Sequence, residues 1–311
     1  MKAQLLRNEA IRQTRNFFSK QNIVEVRTTK VVQAGAMEPY IDAIYATGQF
    51  ITPPLPLATS PEMAMKKAFA AEIAATPKAA GIYEIAPVFR DDRPGKNHAA
   101  EFTMIEWYLR DCDLPQILQS AANLITLIAE VCAAPCDNTL RQYSLPELFS
   151  HAGYPYDYHE NKGFSRWYLE LHKSLPFHLN ELDLEIAAFN LLFDELVLPQ
   201  LKAEPGLCAV FGYPDMLAAM AYSENGIATR AEIYWHGIEM ANGYREEYRP
   251  EVLRTRWQSY NKVRELRKVN IHPIDEELLT ASSNMKNVSG IALGLERVLA
   301  AFLPDTALTD F

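Results

Sequence analysis

The sequence predicts an antiparallel α+β fold, and three stretches carry that expectation. Residues 81–90 and 101–108 read as two strands joined by the charged loop 91–100. A second hairpin spans 230–244 and turns at His236-Gly237. The chain closes with GIALGLERVLAAFL after Ser289, a glycine-containing strand running into a helix. Strands that return through hairpins, rather than through regular βαβ crossovers, argue for an antiparallel sheet flanked by helices. The 311 residues suit one large domain or a domain with an insertion.

Leu5, Leu6, Ile11, Phe17 and Phe18 recur at helical spacing over residues 3–21, and Ile23-Val24-Glu25-Val26 reads as a short strand. Residues 28–60 read as strands and loops ending in the proline-rich ITPPLPLATS. Ser60-Pro61-Glu62 reads as a helix start: Ser60 as the cap, Pro61 at the first helical position and Glu62 in the first turn. After the first strand pair, residues 114–134 form a strongly helical stretch. From about 137 to 205 the pattern is helical and irregular, with one amphipathic helix at 181–196, and is treated as an insertion. Strands resume at 208–213. Residues 250–269 are helical and highly charged, the pattern of a solvated face.

Composition excludes several classes. The formal net charge of −9 argues against a broad nucleic-acid backbone binder, which needs a surplus of lysine and arginine. A local basic pocket is compatible with it, and Arg90, Arg93, Lys96 and His98 crowd one loop. No run approaches the roughly 18 apolar residues of a membrane span, and the N-terminus lacks the apolar core of a signal peptide. Cys112, Cys132, Cys136 and Cys208 include one CxxxC spacing with no second pair to complete a zinc site; free thiols in a reducing cytoplasm are expected.

The chemistry is carried by charged residues that interrupt apolar strands. Arg90 ends one strand. Glu106 lies inside its partner, with Tyr108 two residues on and on the same face. A two-residue turn at His236-Gly237 would pair Tyr234 with Glu239 and Glu232 with Ala241. Both carboxylates would then be diagonal neighbours within reach of a shared cation. Arg297 starts the last helix. Singly, these fit a strand-edge glutamate, a solvated hairpin face and a helix-surface arginine. Together they form a set: two arginines suited to phosphate, two carboxylates suited to Mg²⁺, and an acidic group of Glu62, Glu106 and Glu246. Buried carboxylates without a cation nearby in sequence ask for a cationic ligand.

These residues carry a resemblance. FRDDRPGKNHAAEFTMIEWY (89–108) resembles motif 2 of the class II aminoacyl-tRNA synthetases, GIALGLER (290–297) resembles motif 3, and IEMANGYREE (238–247) resembles the segment between them in the lysine branch. Over about residues 5–302 the chain is similar to the elongation factor P lysine ligases, truncated paralogues of lysyl-tRNA synthetase. It is expected to open directly on the motif 1 helix with no anticodon-binding domain ahead of it, and it has Ala292 where the synthetases have glycine.

The resemblance implies a class II catalytic fold in a single domain (1–311), a cytoplasmic homodimer, and ATP and Mg²⁺ as cofactors. It implies no tRNA anticodon recognition. Arg90 would hold the α-phosphate and the substrate carboxylate, and Arg297 would stack on adenine and reach the γ-phosphate. Asp92, His98, Phe102, Glu239, Met240 and Gly294 would complete the ATP site, with Glu232 and Glu239 on Mg²⁺. Ser60, Glu62, Glu106, Tyr108, Asn242, Tyr244, Glu246 and Ala292 would line the amino-acid pocket, which takes lysine or (R)-β-lysine. The implied acceptor is a lysine of elongation factor P. The chain departs from the pattern at Asp92 (a glutamate in the family), Ala99 (asparagine), Thr29 (the motif 1 proline) and residues 245–249. Those departures keep two alternatives open: a paralogous ligase charging a carrier protein or small molecule, and a synthetase-like regulatory protein.

Overall fold

The computed structural model describes residues 2–76, 78–93, 95, 98–155, 163–303 and 306–311. Lys96, one of the basic loop residues, lies outside them. The chain begins with α1 (Lys2–Ser19), β1 (Ile23–Glu25), the hairpin β2 (Tyr45–Gly48) and β3 (Ile51–Pro56), and α2 (Glu62–Ala75). Next come β4 (Gly81–Phe89), β5 (Glu101–Arg110), α3 (Leu114–Val131), β6 (Leu140–Ser144), α4 (Leu145–His151), α5 (Phe164–His172), α6 (Glu181–Leu192) and α7 (Leu198–Ala203). The last third holds β7 (Leu207–Phe211), β8 (Ser223–Glu224), β9 (Ile227–Ala228), β10 (Arg230–Trp235), β11 (Ile238–Arg245), α8 (Pro250–Leu266), α9 (Glu276–Ser282), β12 (Val288–Gly294) and α10 (Leu295–Phe302).

Eight strands form one sheet in the order β1-β4-β5-β12-β11-β10-β7-β6. The six inner strands are antiparallel, as the hairpins predict, and a parallel strand closes each edge, β1 on β4 and β6 on β7. Strand alternation sends Ile105, Trp107, Ile291, Leu293, Ala231 and Ile233 to one face. There they meet the buried stripe of α3 (Ile117, Leu118, Ala121, Leu124, Ile125, Ile128) together with Phe18 of α1 and Leu295, Val298 and Leu299 of α10. Each such fully buried aliphatic contributes about 1.5–3 kcal/mol. Asp113 starts α3 with a reciprocal cap, its carboxylate taking the Gln116 N–H at 2.9 Å while the Gln116 side chain takes its own N–H. The opposite face lines the main cavity. It is bordered by α2 and α9 beyond β4 and β5, and by a second core of α4 to α8 beyond β7 and β10.

Four sequence expectations shift. The second helix starts at Glu62, and Pro61 stands at its cap; Ser60 Oγ accepts the Glu62 N–H at 3.3 Å, so the serine serves the first turn from one residue further out. The stretch 137–205 is not only helical: Leu140–Ser144 forms the edge strand β6, short and half polar as edge strands are. The helix expected at 181–196 ends at Leu192 and continues as a π-helical turn, Phe193–Val197. The charged helix α8 is not merely solvated, since it buries Arg256 and Arg264 beside Leu253, Trp257 and Tyr260. Arg264 donates to the carbonyls of Glu38, Pro39 and Ile41 and to Asp42. Arg256 donates to the carbonyls of Ala219 and Ala221 and to Asp215.

Candidate active site

The sheet register writes the site as rows of side chains. Glu106 on β5 stands opposite Ala292 on β12, which stands opposite Asn242 on β11, which stands opposite Glu232 on β10. One row over, Tyr108, Gly290, Tyr244 and Arg230 take the same path. Cross-strand partners share a face, so all of these point to the open side of the sheet. They line a cavity of about 420 Å³, within the range of about 300–1,000 Å³ common for small-molecule sites. Every sequence-predicted site residue lines it: Ser60, Glu62, Arg90, Asp92, His98, Phe102, Glu106, Tyr108, Glu232, Glu239, Met240, Asn242, Tyr244, Glu246, Ala292, Gly294 and Arg297.

A β-bulge makes this arrangement possible. His236 and Gly237 both have positive φ (48° and 75°), the backbone of a tight hairpin turn, and Tyr234 pairs with Glu239 as expected. The register then slips: Ile233 pairs with Ala241, and Glu232 pairs with Asn242 rather than with Ala241. Met240 is the extra residue, and its side chain, like Ala241, joins the α3 core. In a straight hairpin Glu239 and Asn242, three apart, would face opposite sides. The bulge brings Glu239 onto the face that holds Asn242, Tyr244 and Glu246.

One end of the cavity is built for anions. Arg90 is anchored by Nε to the Thr59 carbonyl at 3.1 Å and lies 5.2 Å over the Phe102 ring. Burial weighs against its charge, opposed by Glu38, Glu239 and Asp92, while nearby Arg297 adds to the burden. Two arginines close enough to repel create a demand for a polyanion. Arg297, in the first turn of α10, reaches Glu239 at 3.3 Å. Glu232 accepts from Arg230 at 2.6 Å, from Tyr213 at 2.7 Å and from Tyr234. Burial, then the neighbouring Glu232, raises the Glu239 carboxyl above its ordinary range. This mutual repulsion is what a divalent cation between the two would relieve. Among the described residues no group of three His, Cys, Asp or Glu side chains could hold a metal. Two carboxylates without a third fit Mg²⁺, which takes one or two from protein and the rest from phosphate and water.

The other end is acidic. Glu106 and Glu84 stand opposite each other on β5 and β4, both buried, with different surroundings. Glu84 is satisfied by the Thr28 N–H and hydroxyl and by Lys30 at 2.7 Å. Glu106 accepts a hydrogen bond from Tyr108. Burial, reinforced by Glu62, pushes its carboxyl well above the usual range, against the pull of Tyr108 and Lys66. Burial likewise raises Glu246 to about 8, although Lys66 pulls the other way. Gly290 leaves room for this packing. A Cβ there would lie 2.4 Å from the Tyr108 ring and 2.7 Å from Glu246 Oε1.

Sequence reasoning missed several participants. The acidic end does contain a cation: Lys66, 1% exposed, lies 2.8 Å from Glu62 and 2.6 Å from Glu246. Its position one helical turn after Glu62 was the available signal. Glu38, Arg230 and Asn190 also line the cavity. Asn190 comes from α6, so the stretch 137–205 helps to wall the site.

Fold and site together define a class. A sequence profile described as tRNA synthetases class II (D, K and N) matches residues 1–310, and the chain belongs to that family. Within it the chain is similar to proteins named elongation factor P–(R)-β-lysine ligase. That of Sodalis glossinidius is 30% identical, with 99% of this chain and 93% of the relative covered. Those of Avibacterium paragallinarum and Haemophilus influenzae are 29% and 27% identical, covering 95% and 100% of this chain and 89% and 94% of theirs.

Proposed function

We propose that this protein activates lysine or (R)-β-lysine with ATP and transfers it to a lysine side chain of elongation factor P. The observation that carries the proposal is the two-ended cavity, with Arg90 and Arg297 at one end and Glu62, Glu106 and Glu246 at the other. A substrate with a carboxylate at one end, a terminal ammonium at the other and a second ammonium between them spans it in one orientation. The names of the relatives support the choice of amino acid and acceptor.

In this reading Arg90 holds the substrate carboxylate and the α-phosphate together, and its Thr59 anchor and Phe102 stack fix its direction. The carboxylate oxygen attacks the α-phosphorus in line, and pyrophosphate leaves with the bond electrons. Arg297 neutralises charge on the departing side, and Phe102 and Gly294 flank the nucleotide. Glu232 and Glu239 would hold Mg²⁺, which would supply further neutralisation of the phosphates. No protein nucleophile is required. Positioning and electrostatic stabilisation of the five-coordinate phosphorus account for the acceleration. The acceptor amine then attacks the acyl carbon and AMP leaves.

The test is ATP–pyrophosphate exchange run separately with L-lysine, (R)-β-lysine, ornithine and the other standard amino acids, followed by mass spectrometry of elongation factor P. Exchange driven by a lysine isomer, with a matching mass gain on the factor, is the expected result. Exchange driven only by an unrelated amino acid, or none at all, overturns the proposal.

A further inference from the structure

Lys66 is buried behind the acidic wall of the cavity, in contact with Glu62 and Glu246 that line it, and amino-acid activation as described gives it no role. Its ammonium bridges Glu62 and Glu246 and lies 5.9 and 5.1 Å over the rings of Tyr108 and Tyr244. The two bridged carboxylates come from distant parts of the chain, α2 and the end of β11, so the lysine is held at a fixed point. Glu246 is also 1% exposed, and its Oε1 accepts no hydrogen bond from any described residue. Glu246 lines the cavity, and that oxygen faces Gly290, whose missing side chain leaves it room. Glu106 has the Tyr108 hydroxyl and no cation in contact among the described residues. With its groups ionised, this end holds three carboxylates and one ammonium, a surplus of two negative charges. In the free pocket retained protons offset that surplus, and with the carboxylates ionised ligand charge takes their place.

We propose that Lys66 is a specificity-determining residue, a built-in cation that cancels one of the three buried carboxylates and so sets the pocket for a substrate carrying two ammonium groups. The proposal rests on the amino-acid-activation reading of the same cavity. A mono-amine substrate would leave one carboxylate unmatched, and a pocket without Lys66 would leave one unmatched even with a diamine bound.

A charge cycle tests this by calorimetry without ATP. L-lysine and (R)-β-lysine are each compared with the same acid lacking the terminal amine, on the wild type, Glu246→Gln and the double variant Lys66→Met/Glu246→Gln. Glu246→Gln lowers the surplus to one, and the preference for the diamino acid falls about tenfold or more, the scale of one charged hydrogen bond. Adding Lys66→Met restores the surplus of two, and the preference returns to within about threefold of the wild type. The double variant removes the Lys66–Glu246 pair together and leaves Glu62 with the Tyr244 hydroxyl, so it costs less than Lys66→Met alone, which also strands Glu246. A double variant no more selective than Glu246→Gln assigns Lys66 a packing role only and overturns the inference. A wild type that binds neither lysine isomer overturns it too. Pyrophosphate exchange on the same proteins separates the two readings: exchange with an unrestored preference sinks this inference alone, and a restored preference without exchange sinks only the activity.

Discussion

Glu84 and Glu106 show at single-residue scale what marks a functional carboxylate. Both are buried, and they are register partners. Glu84 has a lysine and two threonine donors, whereas Glu106 has one tyrosine and a shifted pKa. The second environment is one that a cationic ligand can complete. Glu106→Gln is therefore expected to raise the Kd for lysine by about 10- to 100-fold, as for loss of a charged hydrogen bond, while the ATP affinity changes little. Equal losses for both ligands would remove Glu106 from the amino-acid pocket. A proton should also move. Folded-state pKa values raised above the unfolded range, to about 8 for Glu246 and well upward for Glu106, mean that the free pocket retains protons near neutrality. Their contribution to stability is present below the unfolded carboxylate pKa of about 4.3 and is lost as pH rises through the folded value. An incoming ammonium favours the ionised carboxylates. Lysine binding should thus release protons at pH 7 and tighten as pH rises toward 8. Calorimetry in two buffers of different ionisation enthalpy measures the release, and identical heats in both would contradict the assignment. Most of these residues were legible in the sequence because each interrupts an apolar pattern. Lys66 was legible only in part: Glu62 one turn before it is a local signal, but its second partner, Glu246, is 180 positions away and only the fold joins them.

At the scale of elements, the sheet succeeds through its irregularities. The hairpin rule located the turn and the Tyr234–Glu239 pair, but nothing local announces that Met240 is looped out. The bulge is fixed by the residues C-terminal to it, since Ala241 must face α3 while Asn242, Tyr244 and Glu246 face the cavity. β6 was hidden for a similar reason, since five residues mixing Leu140 and Tyr143 with Arg141 and Gln142 carry little strand signal until β7 lies beside them. The buried arginines of α8 resemble the surface charges of the same helix until their partners are seen, because those partners are mostly backbone carbonyls. Arg264 holds the segment 38–42 and Arg256 the segment 215–221, and both segments line the cavity. Gly290 is the sharpest test of strand geometry. Gly290→Ala introduces a methyl group against Tyr108 and Glu246 Oε1 at distances no packed carbon tolerates. The expected outcome is a loss of about 1–3 kcal/mol in urea denaturation and a raised KM for the amino acid, with the KM for ATP little changed. A variant with wild-type stability and an unaltered amino-acid KM would show that the pocket is looser than this packing.

On the scale of the whole molecule, the cavity lies between two cores that meet across the sheet. The α1–α3–α10 core supports it from below, and the α4–α8 core walls one side. The acidic end draws on α2, β5 and β11, and the arginine end on β10, β11 and α10. A ligand that fills both ends therefore ties together segments from most of the chain, which either half-ligand fails to do. A non-hydrolysable analogue of the lysyl-adenylate meets the cost of association once for both sets of contacts, whereas lysine and nucleotide each meet it separately. At a hundredfold excess over its Kd such a ligand stabilises the fold by about 2.7 kcal/mol, a rise of several degrees in Tm for a chain of this size. At the same concentration lysine and AMP, alone or mixed, should give distinctly less, because their weaker binding leaves the cavity partly empty. The comparison needs no turnover and no acceptor, so it examines the geometry by itself. If the joined analogue raised the Tm no further than its two halves, the arginine end and the carboxylate end would have to be two sites, and the register that places Glu106, Ala292, Asn242 and Glu232 in one row would have lost its functional meaning.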